Sequence, residues 1–320
     1  MSYVGRVDWS DADRQHPETP TASGLWRRVL VGPEQGAAHT ELAVGGFQAG
    51  GWLARHVHSF EEALYVLEGE LLLESDQHVH RLVAGDHALL PIATPHTLAN
   101  ASEGPVRWLS VNTPPRRSPA WPVPDTIFAP GPPAVEALAA AATPLSQLDI
   151  SRRHVGHYTG TPPQAEALRL DDDPRRRRPA GMDTALLAYS GISVKMLVDR
   201  AMGAEHLTMF TVDYEVGGAA QSHDHPFEET YFFLAGTCSA ELDGKPYTLR
   251  AGDVVFAGVG TVHGFWNDGP ERVRWIETQA PQPPARGAYR WEPTWKAAAK
   301  HGVEAWPRAS TRSIVRSRSG

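Results

Sequence analysis

Three histidines and a glutamate occur in this chain at spacings suited to holding a metal ion. In HVHSFEE, His56 and His58 stand two residues apart and Glu62 follows four residues later; His96 comes further on, in PHTLAN. The same set returns as His223, His225 and Glu229 in HDHPFEE, with His263 in VHGFWN. Residues two apart on a strand project from one face, so each His-x-His pair aims at a single point. Glu62 and Glu229 join after a short reversal, and His96 and His263 arrive from a later strand. Three imidazoles with one carboxylate suit Fe(II), Mn(II), Ni(II), Co(II) or Cu(II) with coordination positions left open, whereas a closed structural zinc site prefers thiolates. Open positions imply a bound substrate or dioxygen. A lone His-x-His carries no such weight: His78 and His80 in DQHVHRL have neither a carboxylate nor a repeat partner and read as non-ligating.

These residues recur because the chain repeats itself. A fixed displacement of 167 residues carries His56 to His223, Glu62 to Glu229, Gly69 to Gly236, Gly85-Asp86 to Gly252-Asp253, Asn100 to Asn267 and Arg107-Trp108 to Arg274-Trp275. No insertion or deletion is needed from Leu30 and Leu197 onward. A period of this length is the size of a domain, so the chain reads as a tandem duplication. Short runs such as EALYVLEGELLLES and YTLRAGDVVFAGV are rich in β-branched and aromatic residues and end in Gly-Glu, Gly-Asp or Asp-Gly, which predicts all-β domains. Asp243-Gly244 marks a two-residue hairpin, and Gly69 and Gly236 should close the turn after the glutamate strand.

The expected organisation is an N-terminal domain over 1–115, a linker over 116–185 with a short helix at Ala134–Ala142, a C-terminal domain over 186–283 and a tail over 284–320. The run Asp171–Asp173 with Arg175–Arg178 reads as a solvated linker, and a short helix is expected at Trp295–His301. His39 and His206 correspond across the repeat and take a structural or interdomain role, and the two Arg-Trp pairs read as scaffold.

Composition bounds the function. With 41% hydrophobic and 21% charged residues, 29 Gly and 27 Pro, the chain is globular and rich in turns. A net charge of −7 speaks against a nucleic-acid or anionic-membrane surface, which needs a basic stripe. The single cysteine, Cys238, excludes an intrachain disulfide and reads as a buried filler. Nowhere do eighteen apolar residues run together, and the N-terminal stretch MSYVGRVDWSDADRQ lacks the apolar core of a secretory signal, so a cytoplasmic location is expected.

The repeated residues resemble the two motifs of the cupin superfamily. The first appears as Gly50, His56, His58, Glu62 and Gly69, and again as Gly217, His223, His225, Glu229 and Gly236. The second appears as Gly85, Pro91, His96 and Asn100, and as Gly252, Gly260, His263 and Asn267; Ala93 and Gly258 depart from it without touching a ligand. The resemblance implies a bicupin, with two tandem jelly-roll β-barrels and one divalent metal, Fe(II), Mn(II) or Ni(II), in the mouth of each.

Strand alternation places Leu64, Val66 and Leu98 around the first site, and Tyr231, Phe233 and Phe265 around the second. Neither set offers an inward arginine, since Arg55 adjoins His56 and faces away. A small apolar or planar organic substrate therefore fits better than oxalate. The leading expectation is a non-haem dioxygenase similar to quercetin dioxygenase, binding substrate and O2, with Glu62 or Glu229 accepting a substrate proton. The aromatic bias makes the C-terminal barrel the expected seat of the chemistry. The alternatives are a non-redox hydrolase or isomerase resembling ureidoglycine aminohydrolase, and a metal-binding sensor or storage protein. Partners reduce to small molecules, in a monomer or homo-oligomer, with no nucleic acid and no membrane.

Overall fold

The computed structural model describes residues 1–10, 18–118, 121–145, 154–157 and 191–284, and the backbone of 189–190 and 290–291. The charged run at 171–178 and the helix expected at 295–301 lie outside them. The first half contributes β1 (Ser2–Arg6), β2 (Ala22–Val31), β3 (Glu41–His58), β4 (Glu61–Glu68), β5 (Glu70–Ser75), β6 (His78–Val83), β7 (Asp86–Leu90), β8 (His96–Ala99) and β9 (Val106–Thr113). The connecting segment adds β10 (Thr126–Phe128), the one α-helix among the described residues, α1 (Val135–Ala141), β11 (Thr143–Pro144) and β12 (Val155–His157). The second half contributes β13 (Tyr189–Val198), β14 (Thr208–Asp224), β15 (Glu228–Ala235), β16 (Thr237–Leu242) and β17 (Lys245–Arg250). It ends with β18 (Asp253–Ala257), β19 (His263–Trp266), β20 (Val273–Ala280) and β21 (Arg290–Trp291). No helix among the described residues is long and apolar enough to cross a membrane.

The strands form two curled sheets of matching design. One runs β11-β6-β5-β8-β3-β9-β4-β7-β12, with β2 and β10 also paired to β3; the other runs β1-β18-β15-β20-β14-β19-β16-β17, with β13 and β21 paired to β14. The fold is thus two β-barrels, antiparallel throughout except where the two-residue β11 runs parallel to β6. The displacement seen in the sequence is a displacement of structure, since β3 pairs with β9 through Gly45↔Trp108 and β14 pairs with β20 through Val212↔Trp275. Turn residues follow the same rule: Asp243 and Gly244 both have positive φ, the left-handed pair a tight β16–β17 hairpin requires. Gly69 and Gly236, at φ of 76° and 77°, end the glutamate strands where a Cβ would collide with the carbonyl oxygens of Pro105 and Arg272.

The strands also cross between barrels. β1, at the start of the chain, pairs with β18 of the second sheet, while β12, shortly before the second barrel, pairs with β7 of the first. Residues 2–6 therefore complete the sheet opposite to the one their sequence position suggests. Each barrel has its own apolar interior, and a third core cluster fills the seam, uniting Leu42, Tyr65 and Val111 with Met209, Phe232 and Ile276. Cys238 packs inside the second interior, where burial pushes its thiol up to about 12, so it is an inert filler.

Two buried carboxylates close the seam reciprocally. Glu61 accepts hydrogen bonds from the backbone N–H groups of Glu205 (2.8 Å), His206 (3.1 Å) and Leu207 (3.0 Å). Its repeat counterpart Glu228 accepts from Ala38 (2.7 Å), His39 (2.9 Å) and Thr40 (3.1 Å). His39 and His206 thus serve the interface through their backbones. Removing either carboxylate orphans three N–H donors at an interface. Glu61→Ala and Glu228→Ala should each lower stability by about 2–3 kcal/mol, with the Gln variants costing less because an amide oxygen still accepts. Urea unfolding monitored by fluorescence reads this, and a change within about 0.5 kcal/mol, the range of ordinary surface substitutions, would remove the clamp from the account.

Candidate metal centres

In the N-terminal barrel, the end of β3 supplies His56 and His58, β8 supplies His96 and β4 supplies Glu62. His56 is the cross-strand partner of His96, which brings their ring centroids to 4.0 Å; His58 and His96 lie at 4.9 Å. Each imidazole is held by a backbone carbonyl at Nδ1: His56 by Ala54 (2.8 Å), His58 by Phe60 (2.6 Å) and His96 by Thr94 (2.9 Å). A neutral ring that donates from Nδ1 turns a lone pair at Nε2 toward the shared centre. The three candidate ligand nitrogens lie within 4.8 Å of one another. His96 Nε2 is buried with no hydrogen-bond partner, an arrangement that a cation would satisfy.

Protonation favours the same use. Burial pushes His56 down and His96 down to about 3, so both rings are neutral at neutral pH. Burial alone would raise Glu62, but His58, His96 and the Ser110 hydroxyl more than offset it and hold the carboxyl well below the usual range. Ser110 Oγ donates to Glu62 Oε1 at 2.6 Å, and Glu62 Oε2 lies 3.3 Å from His58 Nε2. Neutral imidazoles beside an ionised carboxylate are the protonation state that metal binding requires.

The C-terminal barrel repeats the construction and then diverges. His223, His225 and His263 are held at Nδ1 by the carbonyls of Gln221 (2.7 Å), Phe227 (2.8 Å) and Thr261 (2.9 Å), and their ligand nitrogens again lie within 4.8 Å. Glu229 is the more heavily engaged carboxylate. Its Oε2 lies 2.7 Å from His225 Nε2 and 3.2 Å from His263 Nε2 and accepts from the Tyr231 hydroxyl, while Oε1 accepts from Gln279 Nε2 at 2.7 Å. Glu277 stands beside it, its pKa pushed well above the usual carboxylate value by burial and then by the charge of Glu229.

The two cavities differ in room and in charge. The N-terminal cavity has a volume of about 210 Å³, the C-terminal one about 30 Å³. At roughly 30 Å³ per liquid water, the first has the space of about seven waters and the second of about one. Of the aromatic residues expected around the second site, Tyr231 and Phe265 line its small cavity and Phe233 does not. Tyr231, Phe233 and Phe265 are fully buried, Phe233 and Phe265 pack on Trp275 at 5.2 and 5.5 Å, and Tyr231 packs on Phe265 at 4.9 Å. In the first barrel, Leu98 lines the larger cavity, whereas Leu64 and Val66 sit beneath it in the core.

The expectation that no arginine faces inward is also corrected, for Arg27 and Arg116 both line the N-terminal cavity. They come from β2 and from the chain after β9, outside the ligand strands on which that expectation rested. Ser110, Asn112 and their counterparts Glu277 and Gln279 were likewise not anticipated. Alternation along β9 from Trp108, and along β20 from Trp275, would have found them. Among the described residues, the two triads are the only groups of three such ligands, and His78 and His80 belong to neither.

The cupin domain family matches residues 39–112 and again 210–278. The chain carries two cupin domains. No curated protein matches it significantly in sequence. Salicylate 1,2-dioxygenase from Pseudoaminobacter salicylatoxidans, a variant in complex with gentisate, is similar in structure with a TM-score of 0.62 at 15% identity, covering 88% of this chain and 82% of that one. Oxalate decarboxylase from Lactobacillus farciminis, in a formate complex, gives 0.56 at 17% identity over 92% and 91%. A putative glyoxylate-induced protein from Pseudomonas aeruginosa gives 0.57 at 16% identity over 85% and 86%. At these identities the likeness is one of fold.

Each triad should bind independently, giving two metal equivalents per chain. Replacing His56 and His58 together with Ala should remove one equivalent and leave the other, as should replacing His223 and His225. Elemental analysis after reconstitution with Fe(II), Mn(II) or Ni(II) measures this; an unmodified protein that never exceeds one equivalent would rule out equal sites.

Proposed function

We propose that this bicupin is a metal-dependent dioxygenase whose reaction takes place in the N-terminal barrel, on a small planar organic molecule. The observation that carries the reading is the 210 Å³ cavity lying directly against His56, His58 and Glu62. His56, His58, His96 and Glu62 would hold an Fe(II), Mn(II) or Ni(II) ion, which when bound supplies Lewis acidity and a route for electrons to O2.

The chain's own residues do the rest. Phe60 stacks on His58 at 4.0 Å and Phe128 lies 5.1 Å from His56, so flat apolar surfaces border the ligand rings and can orient a planar substrate. Leu98 and Trp108 add apolar surface to the cavity lining. Glu62, kept ionised, takes a proton from the substrate, and the Ser110 hydroxyl fixes the carboxylate's orientation. In the second barrel Tyr231 and Glu277 occupy the corresponding space, and the metal there is assigned a structural role.

Glu62→Ala should lower kcat by about a hundredfold or more, the scale of a lost general base, while Glu229→Ala keeps most activity once occupancy of the first site is verified. Oxygen uptake with a panel of monocyclic phenols, diketones and aromatic acids is the assay. Inactivity of the Glu229 variant beside an active Glu62 variant would move the chemistry to the C-terminal barrel. Product formed without oxygen uptake would instead favour the hydrolase or isomerase reading.

A second test transplants the difference between the barrels. Leu64→Tyr places the C-terminal phenol in the N-terminal core and should close the cavity, lowering turnover at least tenfold with two metals still bound. Unchanged turnover in a folded, loaded Leu64→Tyr variant would disconnect cavity volume from function.

A further inference from the structure

Two guanidinium groups face the N-terminal cavity, and one is already neutralised. Arg27 Nη2 lies 2.5 Å from Glu41 Oε1, an oxygen that also accepts from Asn112 at 3.0 Å. Arg116 lines the same cavity with its guanidinium carbon 5.9 Å from the Phe60 ring centroid, and among the described residues no carboxylate pairs with it. Burial lowers the Arg27 pKa and the like charge of Arg116 adds to that effect, so the two cations feel one another across the cavity. Glu41 and Glu62 balance the two arginines, and a divalent ion in the triad would leave the cavity with surplus positive charge. Among the described residues no arginine or lysine lines the second cavity, and Val194 and Pro283 hold the corresponding positions.

We propose that Arg116 anchors a carboxylate of the substrate, and that the ligand class is an unsaturated or aromatic monocarboxylic acid. This rests on the N-terminal barrel being the substrate site. A planar guanidinium over the flat face of Phe60 offers a two-pronged donor next to an apolar surface, which matches a carboxylate attached to a ring. Arg116 lies beyond β9, in the segment joining the barrels, so selectivity comes from outside the duplicated scaffold.

The test is calorimetric binding of benzoate and of its neutral counterpart benzamide to Mn(II)-loaded protein without oxygen, with salicylate and pyruvate as further acids. Benzoate should bind at least tenfold more tightly than benzamide. Arg116→Gln should weaken benzoate by roughly tenfold to a hundredfold and erase the preference, and Arg116→Lys should restore part of it, with metal content and melting temperature unchanged. Undiminished benzoate binding by Arg116→Gln would mean that the carboxylate sits on the metal alone and would overturn the proposal, as would failure of every acid to bind. Binding is read apart from turnover. Arg116-dependent benzoate binding without oxygen uptake under any substrate would refute the dioxygenase reading and leave the anchor in place; oxygen uptake with neutral substrates and no acid binding would do the reverse.

Discussion

The arrangement depends most on a pair of buried carboxylates that never touch the metal centres. Glu61 and Glu228 each precede a candidate metal ligand, and on a strand consecutive side chains leave by opposite faces. Glu62 therefore turns into its own barrel while Glu61 turns out across the seam, and Glu229 and Glu228 do the same. Three backbone N–H groups meet each outward side chain, so its buried oxygens are supplied with donors. Each clamp fixes its glutamate strand at the residue next to the metal centre. The exchange of β1 and β12 between sheets reinforces the same seam.

Much of the fold was legible because duplication writes each constraint twice. Polar residues that recur at fixed spacing inside apolar strands, as His56, His58 and Glu62 do, have few explanations apart from a shared centre. The glycines at 69 and 236 were readable for a similar reason, each answering a local backbone demand. Glu61 and Glu228 recur just as strictly, but their role depends on a surface formed only when the barrels meet, and nothing local to HSFEE or HPFEE reveals it. The arginines escaped because alternation along the ligand strands says nothing of side chains that enter from β2 or from the segment after β9.

Tyr231, Phe233 and Phe265 show a different limit. Alternation gives the direction of a side chain and not the depth to which the space around it is filled. An aromatic residue pointing inward can line a cavity or occupy it, and the outcome depends on its neighbours: Trp275 stands against all three rings, with Tyr214 packed on Trp275 in turn, and about 30 Å³ is left. Leu64, in the place of Tyr231, contributes to the difference between that volume and the 210 Å³ of the first barrel.

The same substitutions that close the second cavity also tie down its carboxylate. Around Glu229 the Tyr231 hydroxyl, Gln279 and two imidazoles take up both oxygens, and Glu277 lies alongside; around Glu62 the positions of Tyr231 and Glu277 are held by Leu64 and Ser110. A general base must change its hydrogen bonding as it accepts a proton, which a carboxylate bound on all sides does only by breaking contacts in a dry core. Glu62, with one hydroxyl donor, one imidazole and an adjoining cavity, is free to do so. Volume, charge and carboxylate freedom therefore all favour one copy, and the other copy retains the ligand geometry within a packed interior.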